Sequence, residues 1–175
     1  MSTLITTTLQ GINTIKYDAS TTAMTIDSSG RVSRSLIPAW RVSLQSDQTH
    51  SSNSSFDVTF DKTSGDGNYI QGGCTISSGI VTVPLTGIYQ VSANIRMNSV
   101  NSNYIELYLR VNASSSDRLY AIEGNPYEPY HSVCVSGALS LSANDNVKVH
   151  MYAGGDTSHI VKSGNLSSFT GVMIG

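Results

Sequence analysis

Four consecutive residues with strand character, Ile80-Val81-Thr82-Val83, run straight into Pro84, and three residues later comes Gly87. Proline fixes its own φ and has no N–H to give a sheet ladder, so strand pairing must lapse at Pro84 and resume beyond Gly87. A second strand begins there. Tyr89, Val91, Ala93, Ile95 and Met97 fall on one face, and Gln90, Ser92, Asn94 and Arg96 fall on the other. That period of two belongs to a strand with one face in a core and one in water. A chain built around such a corner has to be layered β-structure.

The rest of the chain repeats the pattern. Trp40, Val42 and Leu44 alternate with Arg41 and Ser43, Phe56, Val58 and Phe60 with Asp57 and Thr59, and Ile105, Leu107, Leu109 and Val111 with Tyr104, Glu106, Tyr108 and Arg110. The last of these outward sets, tyrosines beside opposite charges, fits either a solvent face or a subunit contact. Val133, Val135, Leu139 and Leu141 mark a further strand. No window carries the apolar spacing of three and four that a helix needs, so the expectation is all-β. In the stretch 123–131, Pro126 and Pro129 forbid a central strand, and Asn125, Tyr127, Tyr130 and His131 make a candidate surface contact loop.

Charge and special residues exclude more than they assign. Ten basic and twelve acidic residues give a formal net charge of −2, which leaves no electrostatic footprint for nucleic acid. The N-terminus has neither a basic region nor an apolar core of leader length, and no run reaches the length of a membrane span, so a soluble chain without a standard export signal is expected. Cys74 and Cys134 sit in strand-like runs, which favours two buried free thiols, with a disulfide as the alternative. His50, His131, His150 and His159 lack metal-ligand spacing, so zinc is unsupported. Asp57, Asp61 and Asp66 lie near one turn but lack the spacing of a known calcium loop, and no nucleophile elbow occurs. We therefore expect no enzyme, no metal and no cofactor.

Residues 1–36 differ in texture from 37–175. They are Thr-rich, and Ile12, Ile15, Met24 and Ile26 are too few and too dispersed to close a core. Such an arm needs a partner. Thr22 to Val32 reads as a strand, a Ser28-Ser29-Gly30 turn and a second strand.

These segments carry two resemblances. The order Gly79, Thr82, Pro84, Gly87, Tyr89 resembles the G-x-F-T-x-P-x-x-G-x-Y signature of C1q-like domains, with Val81 where the family has Phe. Ser136-Gly137-Ala138-Leu139-Ser140-Leu141, Asn144-Asp145-Asn146-Val147-Lys148-Val149 and the closing Ser168-Phe169-Thr170-Gly171 are similar to later family segments, in the family's order. The resemblance implies a C1q/TNF-like jelly-roll β-sandwich over 37–175, carried on an extended N-terminal arm over 1–36. It also implies a homotrimer that buries the sheet of the first, last and Gly-x-Tyr strands. Carried across, that places Trp40, Tyr89, Lys148, Tyr152 and Phe169 at or near the trimer interface, although each could equally be core within a subunit.

The second resemblance is that of the segment Ala19 to Val32, with its run Thr22-Ala23-Met24-Thr25-Ile26-Asp27-Ser28-Ser29-Gly30-Arg31-Val32, to an element of structural proteins of tailed bacteriophages. It implies a virion protein assembled in the host cytoplasm, whose arm contacts other virion proteins and whose head contacts a receptor or glycan on the host surface. A cement protein that stabilises the capsid shell without receptor binding is the alternative. A cellular ligand-like C1q module is a third reading, which lacks an export signal and a collagen-like repeat in its favour.

Overall fold

The computed structural model describes residues 13–16, 18–20, 22–34, 36–50, 55–98, 104–112, 117–124, 130–154 and 159–175. By its contacts the chain divides into two compact units, Met1–Ile37 and Pro38–Gly175.

In the first unit, β1 (Thr14–Lys16), β2 (Thr22–Ile26) and β3 (Val32–Ser33) form a small antiparallel sheet in that order. The expected strand–turn–strand pairs Ile26 with Val32. Asp27 closes the turn, its Oδ1 accepting from the Ser29 and Arg31 N–H groups and its Oδ2 from Arg31 Nε at 2.7 Å, while Gly30 takes φ +78°. Ile15 faces Met24 across the ladder. No described side chain of this unit is buried.

The second unit is a two-sheet sandwich. Its strands are β4 (Ala39–Leu44), β5 (Gln48–His50), β6 (Phe56–Asp57), β7 (Tyr69–Gln71), β8 (Thr75–Ser77), β9 (Ile80–Thr82) and β10 (Gly87–Asn98). Beyond them come β11 (Tyr104–Val111), β12 (Asp117–Gly124), β13 (Tyr130–Leu141), β14 (Asn146–Gly154), β15 (His159–Val161) and β16 (Gly164–Met173). β10 is the spine of the first sheet, with β13 along one edge for its whole length and β16, then β15, along the other. β4 pairs with β16 and carries β7, and β5 pairs with β15. The second sheet runs β12-β11-β14-β9-β8, and β6 adds to β14.

The core lies between these sheets. Trp40, Tyr89 and Phe169 meet there, with ring centroids 6.3 Å (Trp40 to Tyr89) and 5.5 Å (Trp40 to Phe169) apart. Gly171 is what lets Trp40 lie flat on β16, because a Cβ at that position would enter the indole ring. The Pro84 corner is closed by the Tyr89 hydroxyl, which donates to Leu85 O at 2.8 Å, and Ile88 N–H donates to Gly175 O at 2.6 Å. Phe56, Val58 and Phe60 are buried as their alternation requires, yet only Phe56–Asp57 is strand; Val58 N–H instead donates to Val149 O as the chain turns away. The half-buried strand expected over this segment is thus mostly an irregular inner lining.

Candidate functional site

The outward residues of the two sheets differ in kind. On the first sheet, strand parity turns Gln90, Ser92 and Asn94 of β10, Ser168 and Thr170 of β16, and Ser136 of β13 away from the core. These are short or neutral, and Gln90 donates to Ser136 Oγ at 3.0 Å. At one end of this face the rule of polar outside fails. Ile88, Val172 and Ile174 all stand at outward parity and are exposed by 39%, 39% and 60%. Ile174 N–H donates to Ile88 O, and Gln90 pairs with Val172, so the three form one apolar cluster.

The second sheet presents rings and charges. Tyr104 packs on Tyr152 with centroids 5.6 Å apart, Tyr108 on Tyr120 at 6.2 Å, and the Arg110 guanidinium lies 5.3 Å from the Tyr108 ring. Tyr108 donates its hydroxyl to Glu106. At the β6 junction, Asp57 accepts from Lys148 Nζ at 2.7 Å and contacts His150 Nδ1 at 2.6 Å. Burial would raise the Asp57 carboxyl, but these partners hold it below its ordinary value. Burial lowers His150, which at neutral pH donates its Nδ1–H to the carboxylate as a neutral imidazole. Beside this junction the His50 ring stacks on Phe56 with centroids 3.5 Å apart, and buried His159 lies 5.2 Å beyond Phe56. Register brings this about, since His159 is the ladder partner of His50.

The interface set expected from the sequence is therefore divided. Trp40, Tyr89 and Phe169 have no exposed surface in the single chain, so they are core and offer a second copy no area. Lys148 and Tyr152 are on β14, in the sheet opposite the Gly-x-Tyr strand, and Lys148 is held by Asp57. The residues that reasoning passed over are Ile88, Val172 and Ile174, whose signal is an apolar side chain at the outward parity of an otherwise alternating strand.

In the candidate contact loop, Asn125 and Tyr127 lie outside the described residues. Tyr130 is exposed, with Arg96 4.9 Å from its ring, and His131 is half-buried. In the arm, Ile12 lies outside the described residues, Ile15 is exposed and Met24 and Ile26 are half-buried. Both cysteines are free. Cys74 is buried, which pushes its thiol up to about 11, but Cys134 is exposed, because it shares the outward parity of Ser132 and Ser136. The expectation of two buried thiols fails there. Asp57, Asp61 and Asp66 do not converge: Asp57 serves Lys148 and His150, Asp61 accepts from Gln45 N–H at 2.8 Å, and Asp66 pairs with Lys62. No group of three His, Cys, Asp or Glu able to hold a metal occurs among the described residues.

Among solved structures the chain is similar to murine APRIL, crystallised at pH 5.0, with a TM-score of 0.62 over 79% of this chain and 99% of that one. This is a TNF-like jelly roll. At 15% identity the likeness is one of fold alone. No family model matches the sequence, and no curated protein matches it. The Gly-x-Tyr strand, the first strand of the body and the last strand of the chain occupy one sheet of that fold.

Proposed function

We propose that this chain is a non-enzymatic structural protein of a bacteriophage particle, a homotrimeric jelly-roll head held by its N-terminal arm and contacting the host surface. The observation that carries the trimer is the cluster of Ile88, Val172 and Ile174 on the outer face of the first sheet. Solvent disfavours a contiguous apolar patch, and polar neighbours with short side chains let sheets from other copies approach closely. It lies on the sheet that the C1q-like resemblance assigns to the threefold axis. The phage assignment is supported by the likeness of 19–32 to an element of phage structural proteins. An arm sheet without a buried side chain needs a docking partner, as an attachment arm would.

Light scattering after size exclusion tests the assembly. The expected mass is about 56 kDa, three times the chain's 18.7 kDa. A chain starting at Pro38, which contains the whole described core, should also be trimeric. A monomeric full chain overturns the trimer. Adhesion is tested by binding of the purified full chain to host cells. If it never binds, while particles lacking it have a weakened shell, the cement role replaces adhesion.

A further inference from the structure

An open cleft of about 560 Å³ lies where β4 and β5 of the first sheet meet the segment 59–63 and the β8–β9 hairpin of the second. That size is within the range of ligand pockets, roughly 300–1,000 Å³. Leu44 and Phe60 are buried beneath it and back its floor, and half-buried Ile76 supplies its apolar surface. One wall is rigid. Ser78 and Gly79 form the hairpin turn with φ +51° and +79°, and a Cβ at Gly79 would stand 2.5 Å from Val58 O and 2.8 Å from Thr59 Cα. The turn is thus clamped against the segment that forms the neighbouring wall.

The polar groups around the cleft fall into two sets. Asp47 and Gln48 are consumed by the fold: Asp47 pairs with Lys162 and accepts from Ser163 N–H, and Gln48 bridges Thr59 N–H and Asp57 O. Asp61 is different. Its Oδ1 accepts from Gln45 N–H, while its Oδ2 and the hydroxyls of Ser46, Thr63 and Ser77 have no hydrogen-bond partner among the described residues. A carboxylate oxygen accepts only, and hydroxyls both accept and donate. No Lys or Arg lines the cleft. An anion would therefore meet two carboxylates and no cation, whereas a ligand rich in hydroxyl donors would meet acceptors it can satisfy.

We infer that this cleft is a saccharide site for an uncharged pyranose, its ring face against Ile76 and its hydroxyls on Asp61 and the neighbouring serine and threonine hydroxyls. The inference deepens the adhesion reading and rests on it for the place where the sugar is met, a cell surface.

The test is a titration of the ¹⁵N-labelled full chain with methyl glycosides of glucose, galactose, mannose and N-acetylglucosamine, with glucuronic acid as the anionic probe. At least one neutral glycoside is expected to shift the amides of residues 45–48, 59–63 and 77–79, with a Kd near or below about 10 mM. Asp61→Asn keeps an oxygen for Gln45 N–H and should weaken that glycoside about tenfold, since it removes a charge-assisted bond. Thr63→Val is the second variant and should weaken it less. The site is overturned if no neutral glycoside shifts these amides at about 100 mM, if glucuronate binds as tightly, or if Asp61→Asn binds unchanged. Cell binding separates the two readings. Protein that takes the sugar in the cleft but binds no cells overturns adhesion and leaves the site, whereas cell binding undiminished in Asp61→Asn overturns the site and leaves adhesion.

Discussion

The first sheet turns serines, Gln90, Asn94 and Thr170 outward, with Arg41 and the Arg96–Tyr130 pair among them, and ends in a bare apolar cluster, while the second turns out tyrosines, Glu106, Arg110, Lys148 and His150 that are already engaged with one another. Inward, both sheets are alike, with Val, Ile, Leu and aromatic residues at alternate positions. The difference lies in what each face leaves bare. On the second face, the rings and charges of β11 and β14 find partners within one chain, and the exposed apolar residue, Ile122, lies on the edge strand β12. On the first, Ile88, Val172 and Ile174 have water where a neighbour would bury them.

The largest effect should come from the interior that the two faces share. Trp40→Ala removes the side chain around which Tyr89 and Phe169 pack and should cost about 3–5 kcal/mol in urea unfolding. Gly171→Ala should cost about 1–3 kcal/mol, because the new methyl enters the space of the indole. The contact is specific to the indole, so in a Trp40→Phe background Gly171→Ala should cost measurably less. Equal costs in both backgrounds would mean that the glycine serves the strand's backbone and not the Trp40 contact.

Next in size is a change of assembly without a change of fold. Val172→Asp places a charge in the apolar cluster, where the single chain leaves it solvated. The mass should fall from about 56 kDa towards 18.7 kDa with the unfolding midpoint of the subunit little altered. Tyr120→Asp, at a more open position on the second sheet, should leave the mass unchanged. If the second substitution dissociates the protein and the first does not, the assignment of the two faces is reversed.

Acid should act first where β5 of the first sheet meets β6 and β14 of the second. His50 and His150 are depressed by burial, so the stability they contribute is present above the unfolded value near 6.5 and is lost as pH falls from 6.5 through their folded values. Asp57 is depressed too, so its share is present above its unfolded value near 3.8 and is lost only as pH falls below it. Its side chain is about a third exposed, which limits that share to about 1 kcal/mol. Unfolding midpoints at successive pH values should show two descending steps, and Asp57→Asn should shrink the lower one, the remainder coming from Asp47, which Lys162 holds at about 2. Loss confined to pH below 3.8 would show that the histidines contribute nothing.

Parity made most of this legible in the sequence. The alternations around Trp40, Tyr89, Tyr104 and Val133 gave the buried set of β4, β10, β11 and β13, and the Pro84–Tyr89 corner marked where two strands meet. Parity also assigns Ile88 to the outside once Tyr89 is placed inside. What could not be read is what long-range register decides: Asp57 beside His150, His50 over Phe56 beside His159, and Asp47 paired with Lys162 at the rim of the cleft. Composition is silent on these because each pair is brought together by strands remote in sequence.

Cys134 supplies the smallest and most direct comparison of the faces. It is exposed on the first sheet beside Asn94, whereas Cys74 is buried with its thiol pushed up to about 11. In the Val172→Asp monomer near pH 7.5, a maleimide should label one site quickly, Cys134, and Cys74 only on unfolding. In the wild type, the proposed trimer would cover the face around β10, so labelling of Cys134 should be slower. Equal rates in the two proteins would mean that the face remains open in the assembly, and the copies would then have to meet through the apolar end of the sheet alone.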